Sequence, residues 1–212
     1  MTTHRIRVKI IDAFFALVEE RGWEQVTMPA VAEKARLKPA VLKAAYRSKF
    51  AILSDYAEQM DFTVLAKANA DTAGLGPRQR LVRMLMVRFE LMGQRREALR
   101  RLYRSAVGDR KLASAFAGVV MLSQPWMQTA AGISASGLDG LVKVQGLTIA
   151  YARAFHAWLD DTDPALPNTL DVLDKTLAHG EKALNVRERL GGLVKPFLPN
   201  AAGAMEDRTA AA

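Results

Sequence analysis

Cysteine is absent from the 212-residue chain, and histidine occurs at only three positions, His4, His156 and His179. Without cysteine there is no disulfide, no thiolate metal site and no cysteine nucleophile. The three histidines lie far apart in the sequence, and no two have the spacing of a shared metal site. We therefore expect neither a metal nor a cofactor.

Sequence patterns of catalysis are also missing. The chain has no glycine-rich phosphate loop and no set of nucleophile, base and orienting residue. The acidic run from Asp160 to Asp163 lacks the glycine and the distal glutamate of a calcium loop, so it more plausibly closes a helix and starts a turn. The sequence therefore predicts a protein that is not an enzyme.

Long apolar runs are missing as well. No stretch approaches the roughly 18 uncharged apolar residues that a membrane-spanning helix needs. The N-terminal apolar run is broken by Asp12 and followed by Glu19, Glu20 and Arg21, with no small-residue cleavage site. These absences predict no signal peptide, no stable membrane insertion and a cytoplasmic location.

Positive charge, by contrast, is in excess. The chain has 30 Lys and Arg against 22 Asp and Glu, which gives a net charge of +8. An excess of this size favours an anionic partner, such as nucleic acid or an anionic membrane surface. A basic surface that serves only solubility is the alternative interpretation.

Apolar residues recur at three- and four-residue spacing along almost the whole chain, and no alternating strand pattern interrupts them. After an N-terminal helix that ends at Gly22, the pattern predicts helices over residues 28–35, 39–45, 49–69, 78–93, 95–107, 110–131, 138–160 and 168–188. Pro125 is expected to kink or split its helix, and Asn168 to cap the last one. The fold class is therefore all-α, with about nine helices.

Glycine and proline concentrate in the segment DTAGLGP, residues 71–77, which is the best candidate for a domain boundary. It divides a small N-terminal domain, residues 1–70, from a larger helical domain, residues 77–190. Residues 191–212 begin with Gly191 and Gly192 and contain two prolines, so they predict a disordered tail.

Basic residues crowd into the stretch from Thr27 to Lys49, where no acid follows Glu33 until Asp55. Thr27 can cap a short helix, and the residues Arg36, Leu37 and Lys38 form a turn before a second short helix. Two short helices joined by such a turn predict a helix-turn-helix unit. This unit places its second helix in the major groove, with surrounding lysines and arginines on the phosphates.

Positions 6–60 resemble the DNA-binding domain of the TetR family of bacterial transcription regulators. The matching residues are Gly22-Trp23, Val26-Thr27, Val31-Ala32, Ala35-Arg36-Leu37-Lys38, Leu42-Lys43, Tyr46, and Ser48-Lys49 before Ala51-Ile52-Leu53. The resemblance implies a helix-turn-helix motif over residues 27–46 that binds double-stranded operator DNA. It also implies a homodimeric repressor that a small apolar or amphipathic effector releases.

The DNA-binding residues that this reading selects are Thr27, Met28, Arg36, Lys38, Ala40, Val41, Lys43, Ala44, Tyr46 and Lys49. Four of them depart from the family pattern, because Arg36 stands at the turn glycine, Lys43 at a common tyrosine, and Lys38 and Ala40 at small serine or glycine positions of the turn. The second helix also lacks the arginine, asparagine or glutamine that reads a base with two hydrogen bonds. Sequence specificity is therefore modest or depends on the N-terminal arm, where Arg5, Arg7 and Lys9 cluster.

The resemblance further implies that the larger domain binds the effector and dimerises through the helices over residues 138–160 and 168–188. Their apolar stripes could equally pack within one chain. Methionine and aromatic side chains adapt to irregular ligands, although plain core packing is the alternative for each of them. The pocket residues selected on this basis are Met84, Phe89, Met92, Tyr103, Phe116, Met121, Trp126 and Tyr151.

A second resemblance concerns the segment from Trp158 to Leu177, which is similar to the C-terminal region of ubiquinone-biosynthesis accessory proteins. Those proteins share the TetR fold but bind lipid and a partner hydroxylase in place of DNA. The matching residues are Trp158-Leu159, Asp161, Thr169 and Leu173-Asp174. This match covers about 20 residues, and it leaves lipid binding as the alternative function.

Overall fold

The computed structural model describes residues 3–72, 74–134 and 136–194. In this part of the chain there are nine α-helices and one 3₁₀ turn, and no strand, which confirms the all-α prediction. The helices are α1 His4–Arg21, α2 Met28–Lys34, α3 Pro39–Ala45, α4 Lys49–Asp71, α5 Pro77–Met92, α6 Arg96–Gly108, α7 Arg110–Ala130, α8 Gly137–Asp160 and α9 Pro167–Val194.

Local sequence signals explain where the N-terminal helices begin and end. Gly22 ends α1 with a φ of 80°, and its N–H donates to the carbonyl of Val18 at 2.9 Å. The Thr27 hydroxyl accepts from the Ala30 N–H at 3.3 Å, and the Ser48 hydroxyl accepts from the Ala51 N–H at 3.2 Å. These caps fix the start of α2 and α4, as the sequence predicts.

Helix α4 connects the two halves of the molecule. It packs against α1 on one side and against α5 and α7 on the other. Buried residues of α1 and of α5 to α8 belong to the same hydrophobic core. The expected boundary at residues 71–77 coincides with the connection between α4 and α5, and the division into two domains stays a prediction.

Helices α8 and α9 pack along each other and are joined by a tight acidic turn. Asp161 accepts hydrogen bonds from the N–H and the hydroxyl of Thr169, both at 2.8 Å. Asp161 therefore caps α9 from eight residues upstream, and the expectation that Asn168 caps it is wrong. The spacing of residues in the sequence does not predict this cap, because the Asp161 carboxylate reaches Thr169 only when the turn between them is folded.

Helix α7 continues through Pro125 without splitting. Helix α9 extends beyond its predicted end at residue 188 and reaches Val194. It includes Gly191 and Gly192, since glycine is costly in a helix but not excluded from it. The predicted disordered tail thus overlaps α9 over residues 191–194, and residues 195–212 lie outside the described residues. None of the described helices is long and apolar enough to cross a membrane.

Candidate DNA-binding surface and ligand cavity

Helices α2 and α3 have one buried face and one exposed face. Val31, Ala32 and Leu42 are buried in the core of the N-terminal helices. Anchoring these apolar residues turns the opposite sides of both helices toward solvent. The arrangement matches a helix-turn-helix unit whose second helix is available to a DNA groove.

The predicted DNA-binding residues divide by exposure. Six are exposed, three are half-buried and one is buried. The exposed residues are Thr27, Arg36, Lys38, Ala40, Lys43 and Ala44, the half-buried ones are Met28, Val41 and Lys49, and the buried one is Tyr46. The structure therefore leaves most of the set accessible to solvent on α2, α3 and the turn between them.

Positive charge on this surface is largely uncompensated. Lys34 pairs with Glu20. Within the described residues Arg36, Lys38, Lys43 and Arg47 form no ion pair. Exposed cations without acidic partners are available to phosphate groups, and each contact releases counterions from DNA.

Arg36 occupies the turn in a left-handed conformation with a φ of 54°. Its N–H donates to the carbonyl of Glu33, and the next N–H, from Leu37, donates to Ala32, both at 2.9 Å. This pattern ends α2 in the way that normally selects glycine. This conformation costs a residue with a Cβ about 1–2 kcal/mol. Arginine at this position therefore lowers the free energy of unfolding.

Replacement of Arg36 by glycine is expected to raise the free energy of unfolding by up to about 1 kcal/mol, since glycine relieves the strain but adds chain entropy to the unfolded state. The same change should weaken DNA binding, because a phosphate-binding cation is lost. Urea unfolding and a DNA titration measure the two effects. A lower free energy of unfolding in the variant would contradict the backbone strain at Arg36. Unchanged DNA affinity would contradict the contact of Arg36 with phosphate.

Tyr46 supports the surface from beneath. Its side chain is buried, and its hydroxyl donates to the carboxylate of Asp55 on α4. Arg7 of α1 approaches the same carboxylate at 3.4 Å. Burial and the hydrogen bond to Asp55 raise the pKa of Tyr46 above its usual range. The expectation that Tyr46 contacts DNA is not met, because its polar atom already holds α3 to α4.

Lys49 also has an internal role. Its ammonium donates to the Trp23 carbonyl at 2.6 Å and lies 4.2 Å from the centre of the Trp23 ring. Partial burial lowers the pKa of Lys49. The side chain therefore anchors the start of α4 to the loop after α1, and its contact with phosphate stays a prediction.

An apolar cavity of about 290 Å³ lies among helices α4 to α8. It includes four of the predicted pocket residues, Met92, Tyr103, Phe116 and Tyr151. The other four do not line it. Met84 and Phe89 are fully buried in the core, while Met121 and Trp126 are exposed on α7.

Two side chains of the cavity carry polar groups that sequence reasoning missed. Arg88 on α5 is 5 % exposed and pairs with Asp61 of α4. Tyr56 on α4 is 8 % exposed and packs against Phe15. A charged residue within the apolar run from Leu81 to Met92 was the available signal, since buried charges need a partner or a function.

Phe116 connects the cavity to the N-terminal helices. Its ring centre lies 5.4 Å from that of Trp23 and 5.9 Å from that of Phe50. The Trp23 and Phe50 rings are 4.9 Å apart. The three rings therefore form one aromatic cluster, with a cavity wall on one side and the start of α4 on the other.

The apolar stripes of α8 and α9 pack mainly within the chain. Trp158 and Leu173 are fully buried. Four large apolar side chains of the described part of these helices remain exposed, Leu141 at 59 %, Val142 at 36 % and Ile149 at 58 % on α8, and Leu170 at 41 % on α9. We call these four residues the outer face of α8 and α9.

Comparison with known proteins identifies the fold. No protein-family model matches the sequence, and no curated protein matches it. Among solved structures, a TetR transcriptional regulator from Nitrosomonas europaea has a TM-score of 0.66 at 18% identity, covering 84% of this chain and 98% of its own. A TetR-family regulator from Streptomyces coelicolor has a TM-score of 0.54 at 16% identity, covering 99% of this chain and 97% of its own.

A third similar structure, a complex of SmeT with triclosan, has a TM-score of 0.55 at 16% identity and covers 83% of this chain and 91% of its own. At these identities the likeness concerns the arrangement of helices along nearly the whole chain. The protein therefore has the fold of the TetR-family transcriptional regulators, as the resemblance of its N-terminal residues implies.

Proposed function

We propose that the protein is a TetR-like transcriptional repressor that binds operator DNA as a homodimer and is released by a small apolar or amphipathic effector. The observation that carries this proposal is an exposed, basic helix-turn-helix unit connected to an apolar cavity by Phe116 and α4. The role is binding and regulation, not catalysis.

DNA binding is expected to rest more on phosphates than on bases. Helix α3 exposes Ala40, Lys43 and Ala44, and among these only Lys43 is long and polar. Small apolar side chains contact thymine methyl groups, while lysine contacts phosphate or guanine. Arg5 and Lys9 on exposed positions of α1 supply further contacts to the backbone.

Release by an effector follows from two connections between the cavity and α3. Tyr56 lines the cavity, and the preceding residue of α4, Asp55, holds Tyr46 at the end of α3. Phe116 lines the cavity and contacts Trp23 and Phe50. A ligand that moves α4 or Phe116 therefore changes the contacts that hold α3. Such a ligand has different affinities for the arrangement of α3 that binds DNA and for the arrangement that does not.

Replacement of Phe116 by alanine tests this coupling. In the parent protein, saturation of the cavity with the neutral dye N-phenyl-1-naphthylamine should weaken DNA binding at least about fivefold. The F116A variant should still bind dye and DNA, with the two events now nearly independent. Fluorescence anisotropy of labelled DNA, with and without dye, measures the coupling.

The matched control is V119A, which removes side-chain atoms from the same cavity wall on α7. Val119 is absent from the aromatic cluster, so this variant should keep the parent's coupling. Equal coupling in the parent and F116A would exclude the aromatic connection. A parent protein that binds dye without any change in DNA affinity would remove the effector part of the proposal.

A lipid-binding accessory role without specific DNA recognition is the second candidate. The observation that favours it is that α3 has no arginine, asparagine or glutamine, the side chains that read a base with two hydrogen bonds. The residues of the C-terminal resemblance do not argue for it, because Trp158 and Leu173 pack in the core and Asp161 caps α9 through Thr169. Binding to liposomes together with equal affinity for all DNA sequences would favour this candidate.

A further inference from the structure

Two residues that line the cavity carry hydrogen-bond donors that the protein itself leaves without a partner. The Tyr56 hydroxyl and the Nε of Arg88 are both buried and make no hydrogen bond. Both residues line the cavity, and both are more than nine-tenths buried. A buried donor without an acceptor costs free energy that a bound molecule can recover.

Two other polar groups of the cavity wall already have partners. The Thr148 hydroxyl donates to the Val144 carbonyl at 2.8 Å, and the Tyr151 hydroxyl donates to the sulfur of Met92 at 3.7 Å. The Arg88 Nε–H can only donate, and the Tyr56 hydroxyl can donate as well as accept. An acceptor on the ligand is therefore the one group that can pair with both.

The charges near Tyr56 decide what kind of acceptor fits. Arg88 and Arg95 are the cations whose fields act on its hydroxyl. Arg88 pairs with Asp61, and Arg95 pairs with Asp12. Each cation is thus neutralised by its own carboxylate, and an anionic ligand would bring an uncompensated charge into an apolar cavity at a large desolvation cost.

We propose that the cavity selects a neutral, mainly apolar molecule carrying a carbonyl acceptor, such as a ketone or an ester, bound by the Tyr56 hydroxyl and Arg88 Nε. The hydrophobic walls, including Leu53, Leu102 and Phe155, take the rest of the molecule. This inference rests on the ligand-binding part of the proposed function and adds the chemical class of the ligand.

Displacement of N-phenyl-1-naphthylamine from the full-length protein, without DNA, tests the selection. Three competitors of one chain length are compared, the methyl ketone 2-decanone, the carboxylate decanoate and the alkene 1-decene. The ketone should displace the dye at a concentration about tenfold lower than either of the others. Decanoate that binds as tightly as the ketone, or a ketone that binds no better than the alkene, would overturn the proposal.

The variant Y56F assigns the effect to the hydroxyl. It should lose about tenfold in ketone affinity, keep its affinity for the alkene, and melt at the same or a higher temperature because an unpaired buried group is gone. The unchanged affinity for 1-decene is the control within the same variant, because the alkene has no acceptor for the hydroxyl. Unchanged ketone binding by Y56F would overturn the assignment, and because DNA is absent, the result is independent of the regulator function.

Discussion

Replacement of Lys38 and Lys43 by glutamate is expected to lower the affinity for DNA at least about 100-fold near 0.1 M salt. Both side chains are exposed on the turn and on α3, and neither has an ion-pair partner among the described residues. The change converts two phosphate-binding cations into two groups that repel phosphate. It should also reduce the dependence of affinity on salt concentration, by about one unit of slope for each lost contact.

The control for this experiment carries the same change of charge elsewhere. Lys67 on α4 and Arg104 on α6 are exposed and belong to neither α2 nor α3, so the K67E/R104E variant should bind DNA within a few fold of the parent. Thermal unfolding of both variants establishes that they are folded. Equal losses of DNA affinity in the two variants would show that binding depends only on the net charge of the protein. Helix α3 would then not be the contact surface.

Replacement of Ile149 and Leu170 by glutamate is expected to separate the proposed homodimer into monomers. These residues are 58 % and 41 % exposed on the outer face of α8 and α9, where the fold resemblance implies the contact between protomers. Two charges buried without partners in a packed interface are strongly unfavourable. Sedimentation at micromolar concentration should show a dimer for the parent and a monomer for the variant, with DNA affinity falling because two half-sites are no longer bound together.

An exposed apolar residue on another helix supplies the comparison. Leu122 of α7 is 73 % exposed, and L122E should remain dimeric because α7 does not belong to the proposed interface. A monomeric parent protein would contradict the dimer, and a dimeric I149E/L170E variant would place the interface elsewhere. Loss of the dimer in L122E would extend the interface to α7.

The helix-turn-helix unit could be predicted because its signals are local. Thr27 caps α2, Leu42 is the buried anchor of α3, and the basic residues stand within a few positions of them. The roles of Tyr46 and Lys49 could not be predicted, since Asp55 and the Trp23 carbonyl occupy their polar atoms. Spacing within a helix gives its exposed face, but it does not give the partner that a neighbouring helix brings.

The cavity was predictable only in part for the same reason. Met92 and Phe116 line it, whereas Met121 and Trp126 have the same kind of side chain and face solvent. Residue type favours a ligand wall, but the rotation of α7 decides which of its apolar residues point inward. The sequence does not predict α4 as a wall of the cavity. Its cavity residue Tyr56 lies only seven positions beyond Lys49, next to residues that are expected to bind DNA.

The measurement that tests the central claim most directly is the ratio of specific to non-specific DNA affinity. Duplexes selected by the protein from a random pool are titrated beside unselected duplexes at two salt concentrations. We predict a selected site bound at least about a thousandfold more tightly than random DNA, with a two-fold symmetric sequence. Weak binding with the same affinity and the same salt dependence for both kinds of duplex would contradict the claim that the protein is a sequence-specific regulator.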